Sequence, residues 1–235
     1  MASPLAESAL MDLPLDAPAS TVSNHMHAVV RLLGEDIIFG RLAPGCRLIE
    51  DELIARFGAT RHGVRQALAE LERIGIVVRE RNKGASVRAL AASQVLQIYE
   101  VRELLQRQAA MQIPLPAEPA LVQTLETLHE QFVQHLKARD YGAVHRVNDE
   151  FHLTLFSGCG NPYLVESIRH YMWLSLPVRA KRTAETGHSE AAATEHLRMI
   201  RLLKGRDNLA LARLCVEHLQ QAKRSYLEVA TAEQP

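Results

Sequence analysis

Residues 37–87 read IIFGRLAPGCRLIEDELIARFGATRHGVRQALAELERIGIVVRERNKGASV. Two glycines and a proline in GRLAPG interrupt an apolar-periodic stretch, because glycine takes positive φ freely and proline lacks a backbone donor. A short helix is then expected from Glu50 to Phe57, stopped by Gly58. Thr60 is placed to N-cap a further helix that runs to Ile74, where Gly75 terminates it. In that helix Val64, Leu68, Leu71 and Ile74 share one stripe, so Arg61, His62, Arg65 and Ala69 project from another face. The run IVVRERNKGASV holds two β-prone segments around Asn82-Lys83-Gly84, where a glycine supplies the positive φ of a tight hairpin. Helix, short turn, helix and basic hairpin follow one another in the order of a winged helix-turn-helix.

Residues 24–39 place Val29, Leu33 and Ile37 four apart on one face, an amphipathic helix ahead of the break. Residues 1–22 are rich in proline, alanine and serine without a sustained period and read as a flexible arm. From Ala91 onward the pattern is helical throughout, with breaks at Pro114 and Pro116, near Asp140, at 158–162, around Gly187 and at Gly205-Arg206-Asp207. Six helices are expected, over about 92–112, 118–138, 141–157, 162–183, 190–204 and 207–230, each long enough to bury an apolar face. The fold class is mainly α. The expected domains are the arm (1–22), a winged helix-turn-helix (23–90) and an all-helical bundle (91–230), which suits a chain of 235 residues.

Charge is informative only locally. The 27 Lys/Arg balance 27 Asp/Glu, but residues 23–90 hold eleven bases against eight acids, a net of +3. Cys46, Cys159 and Cys215 are an odd, scattered set, which argues for buried free thiols in a reducing compartment and against a disulfide framework or a cysteine zinc site. No stretch approaches the ~20 apolar residues that span a bilayer, and the N-terminus has no signal pattern, so a cytoplasmic protein without a membrane partner is expected.

Arg61 and Arg65 lie four residues apart and can run along a major-groove floor, where a guanidinium donates bidentately to guanine O6 and N7 or clamps a phosphate. In the bundle, Asn148 and His152 share one helical face, while His196 and His218 lie on the last two helices. One oxygen and three imidazoles from different helices suit zinc, nickel, manganese or iron. His145 shares the stripe of Asn148, with an outer or surface role the expectation, and Asp149 lies about 100° round the helix. Tyr171 and Trp173 read as pocket lining or plain core.

Residues 37–87 resemble the DNA-binding domain of GntR-family regulators nearly end to end, from the "G-x-L-x-P-G-x-x-L" entry to the glycine wing. The resemblance implies DNA contacts at Arg61, His62 and Arg65, and at Lys83 and Gly84 on the wing. His62-Gly63 replaces the frequent Thr-Pro, and Glu50-Asp51-Glu52 lies where some members carry an arginine. Residues from about 90 to 227 resemble the FCD-type C-terminal domain of the FadR branch, through "N-x-x-F-H-x-x-L-x-x-x-x-x-N", "E-H-x-x-x-x-x-L-x-x-x-x-D-x-x-A" and His218. That resemblance implies a metal held by Asn148, His152, His196 and His218. Asparagine replaces the usual aspartate, and its neutral carbonyl compensates a divalent ion less. Arg102 falls in a "V-R-x-x-L" segment and is expected either to pair with an acidic effector or to form a structural ion pair. The usual glutamate four residues later is Gln106.

The expectation is a homodimeric, DNA-binding transcriptional repressor, not an enzyme, whose affinity for a double-stranded operator is set by an organic-acid effector, with or without a metal. A helical metallohydrolase is the alternative from another class, although no carboxylate is clearly placed as its acid/base. A metal-free module that binds effector or only dimerises is the third reading.

Overall fold

The computed structural model describes residues 21–38, 41–175 and 186–232. The expected arm thus lies almost wholly outside the described residues, as do the last eight residues of the helix expected over 162–183. The N-terminal part consists of α1 (Thr21–Ile38), β1 (Arg47–Leu48), α2 (Glu50–Phe57), α3 (Arg61–Ile74), β2 (Val77–Glu80) and β3 (Gly84–Val87). Both stops of the helix-turn-helix are glycines in the left-handed region, Gly58 at φ 61° and Gly75 at φ 92°. The hairpin pairs Val77 with Val87 and Glu80 with Gly84, and β1 adds a third antiparallel strand on β3 through Arg47–Ser86 and Leu48–Ala85. That short strand was not legible as one: two residues carry no period, and pairing with the wing defines it. One core unites Val29, Leu33 and Ile37 of α1 with Val64, Leu68, Leu71 and Ile74 of α3 and with Val77 and Val87 of the wing.

The bundle holds, among the described residues, six helices: α4 (Ala92–Gln112), α5 (Pro119–Lys137), α6 (Tyr141–Ser157), α7 (Pro162–Leu174), α8 (Thr186–Leu203) and α9 (Asn208–Ala232). Caps fix several starts. Asp140 accepts from the Ala143 N–H, Asn161 from Leu164 and Asp207 from Ala210. Asn208 Nδ2 donates to the carbonyls of Ala110 and Ile113, which ties the start of α9 to the end of α4. A second core gathers Phe132, Phe151, Phe156, Met199, Leu203, Leu211 and Cys215. Trp173 packs against both cores and is the chain's single tryptophan.

The cysteines are free, as expected, but only Cys215 is fully buried; Cys46 and Cys159 are half-buried at the edges of the two cores. No helix among the described residues is long and apolar enough to cross a membrane.

Candidate functional site

The polar face of α3 faces outward because its other face is the core stripe. Thr60 Oγ1 accepts from the Gly63 N–H at 3.1 Å and sets the phase of the first turn, leaving Arg61, His62 and Arg65 exposed. The arginines engage the acids that open α2. Arg61 Nη2 lies 2.6 Å from Asp51 Oδ1 and its Nη1 3.6 Å from Glu50 Oε2. Arg65 donates through Nε to the two Glu50 oxygens at 3.1 and 2.9 Å. Carboxylates are themselves favoured there by the partial positive charge of a helix N-terminus. On the wing Gly84 has φ 85°, and Lys83 sits 2.6 Å from Glu80, whose hydrogen bond and charge raise the ammonium's pKa.

In the bundle the three histidines occupy core-facing positions of three helices. His196 continues the buried stripe of Met199, Ile200 and Leu203 on α8, and His218 lies one turn beyond Leu214 and Cys215 on α9. On α6, His152 neighbours the buried Phe151 and Leu155. Their ligand nitrogens lie within 4.8 Å of one another. Ring centroids are separated by 5.1 Å (His152–His196), 4.7 Å (His152–His218) and 5.5 Å (His196–His218). Two imidazoles on one tetrahedral ion, with nitrogens ~2.0 Å from it, have centroids about 5 Å apart, so the donor set fits a first-row divalent metal. His196 is fully buried and neither of its ring nitrogens has a hydrogen-bond partner among the described residues. An orphaned buried polar group is costly, and a metal ligand is one role that relieves it.

Burial foremost, then His218 and His129, hold the His196 imidazole well below its ordinary pKa, so it is neutral and has a lone pair to offer. It stacks on Phe151 at 4.0 Å and meets Phe132 edge-on at 5.0 Å. His152 Nε2 is 3.0 Å from His218 Nε2, and His218 Nδ1 is 2.5 Å from Glu195 Oε2. Glu195 also accepts from Gln221 Nε2 at 2.7 Å. A carboxylate on the far nitrogen turns the Nε2 lone pair of His218 toward the cluster and strengthens it as a ligand. Sequence reading missed Glu195, although the Glu195-His196 pair carried it in plain view. Asn148 is half-buried one turn before His152. His145 lies outside the cluster: it is buried, 3.7 Å from the buried Asp149. The surface alternative for His145 is thereby corrected, because its place on the stripe of Asn148 turns it into the bundle beside Asp149.

Arg102 is buried, lies over the Tyr99 ring at 5.1 Å and donates from Nη1 to Ser175 Oγ at 2.9 Å. Ser175 is the C-cap of α7. The preceding Leu174 presses on Gly75 at the end of α3, where a Cβ would stand 2.7 Å from Leu174 Cδ2. A run of three residues, Trp173-Leu174-Ser175, therefore joins Arg102 to the end of α3. Tyr171, expected with Trp173 as pocket or core, is half-buried one turn earlier on α7 and gives its carbonyl to Ser175.

A DNA-reading head packed on a helical sensor is the architecture of a transcriptional regulator that carries its own effector domain. The chain belongs to the GntR family of bacterial regulatory proteins, whose pattern matches residues 26–87, and its helical part is an FCD domain, matched over residues 97–221. It is 26% identical over 188 residues to the Nta operon transcriptional regulator of Aminobacter aminovorans, covering 79% of this chain and 87% of that protein. It is 26% identical over 207 residues to the HTH-type transcriptional repressor RspR of Escherichia coli K12, covering 86% and 88%. In fold it resembles a transcriptional regulator GntR from Rhodococcus sp. RHA1 (TM-score 0.71, 22% identity, 86% of this chain and 97% of that one). It also resembles E. coli McbR/YncC (TM-score 0.68, 20% identity, 90% and 99%). The metallohydrolase alternative falls away, since family and relatives are regulators rather than enzymes.

Proposed function

We propose that the chain is a cytoplasmic, homodimeric repressor whose operator affinity is set by an organic-acid effector bound at a metal held by His152, His196 and His218, with Asn148 as the oxygen donor. The observation that carries this reading is the buried convergence of three imidazoles, one of them orphaned at both nitrogens. A bound divalent ion supplies a Lewis-acidic centre with open positions for a carboxylate. The protein's own residues do the rest: Glu195 orients His218, the Phe151 and Phe132 rings exclude water around His196, and Arg102 faces the effector's negative charge. The Ser175 link from Arg102 and the Leu174 contact with Gly75 supply a route by which an occupied site alters the pose of α3.

A dimer is expected because one recognition helix reads too few bases to select a genomic site. The sign of regulation follows the relative named as a repressor. On the DNA side Arg61, His62 and Arg65 enter the major groove while Lys83 and Gly84 meet the adjacent backbone. The test is metal analysis of purified wild type and of His152→Ala and His196→Ala. Wild type is expected to carry substoichiometric first-row metal and the variants none; metal-free wild type that takes up no added zinc, nickel or manganese would refute the metal site.

A further inference from the structure

Arg61 and Arg65 carry the same charge, but the structure holds them differently. Arg65 is gripped by the inner nitrogen: both contacts to Glu50 run from Nε, and its two terminal nitrogens have no partner among the described residues. Those terminal nitrogens form the edge that donates to guanine O6 and N7. Arg61 is gripped by that edge itself, with Nη2 on Asp51 and Nη1 toward Glu50. Glu50 is the more buried of the two acids, its side chain 27% exposed against 73% for Asp51. Glu52, the third acid of the same turn, makes no ion pair among the described residues and serves as an internal control.

We infer that two neighbouring acids do opposite work in DNA selection: Glu50 positions Arg65 for reading a base, and Asp51 masks Arg61 against indiscriminate phosphate contact. A guanidinium anchored at Nε loses little freedom on meeting guanine, so Glu50 strengthens the specific complex. A guanidinium whose fork is occupied must surrender a carboxylate before it touches DNA. An isolated phosphate repays that exchange poorly, so Asp51 weakens non-specific binding, which is almost wholly electrostatic. The pair thus raises the ratio of specific to non-specific affinity from both sides. This inference rests on reading Arg61 and Arg65 as DNA contacts.

The test uses full-length protein with two probes: a duplex selected from a randomised pool by the wild type, and a random-sequence duplex of the same length. Glu50→Gln, Asp51→Asn and Glu52→Gln each remove one negative charge from the same helical turn, and circular dichroism establishes that each folds. Glu50→Gln is expected to weaken the selected duplex about tenfold, within the discrimination that a bidentate guanine contact supplies, and to leave the random duplex nearly unchanged. Asp51→Asn is expected to strengthen the random duplex severalfold and to steepen its log–log salt slope by about 0.9, the increment of one added phosphate contact. Glu52→Gln is expected to change neither ratio. Equal effects of all three variants, which a general charge term would give, overturn the inference, as does a gain in selected-site affinity with Glu50→Gln. Arg61→Ala and Arg65→Ala separate the two levels: if neither alters either duplex, the contact assignment itself is wrong.

Discussion

The junction between the reading head and the bundle can be perturbed at Gly75. Its φ of 92° is a conformation that a Cβ penalises by about 1–2 kcal/mol. An alanine there also places its Cβ 2.7 Å from Leu174 Cδ2, inside van der Waals contact, and overpacking of that kind costs about 1–3 kcal/mol. Gly75→Ala is therefore expected to destabilise the junction by about 2–5 kcal/mol, the sum of the two contributions. Leu174→Ala removes the clashing methyl, so in that background only the backbone cost of about 1–2 kcal/mol should remain. Trp173 is the chain's only tryptophan and packs on both cores, so its fluorescence in urea reports this junction directly. A double-mutant cycle should return a coupling of about 1–3 kcal/mol. Additivity within about 0.5 kcal/mol would refute the contact as the link between α7 and the end of α3.

Asn148→Asp should tighten metal binding at the histidine cluster, because a carboxylate compensates a divalent ion where a neutral amide does not; competition with a chromogenic chelator measures it, and unchanged affinity removes Asn148 from the ligand set. In chelated protein the depressed pKa of His196 means that the unfolded chain binds the extra proton first. Stability is then complete above about pH 6.5 and falls as the pH drops below it, and His196→Leu should flatten that acid limb in urea titrations. Burial pushes the Cys215 thiol up to about 12, so a thiol reagent should label Cys46 and Cys159 in the native protein and reach Cys215 only on unfolding; rapid native labelling of all three would contradict the packing around α9.

Local chemistry made much of the fold legible. The stripe of α3, its Thr60 cap, the left-handed Gly58 and Gly75 and the wing at Gly84 depend on residues within one or two turns of each other, and each stands as read. The three histidines stood out as ligands offered by different helices and were sharpened by motif resemblance, since their spacing alone, 66 residues from His152 to His218, says nothing about contact. Tertiary pairings stayed hidden for the same reason. Ser175 is a polar residue at a helix end until a bundle brings Arg102 to it from 73 residues away. Glu50 and Asp51 stood out as an acidic departure, but only the packing of α2 on α3 reveals that they grip the arginines. Gly75 was read as a helix stop, and its second role, admitting Leu174, belongs to the other core.

Occupancy of the histidine cluster is expected to change the affinity of α3 for DNA. Fluorescence anisotropy of the selected duplex, titrated with zinc-loaded protein against a panel of small mono-, di- and tricarboxylates, tests it most directly. At least one carboxylate is expected to lower the affinity of wild type tenfold or more, an effect lost in His196→Ala and in wild type treated with chelator. A carboxylate response of undiminished size in His196→Ala, or in the chelated protein, would contradict it.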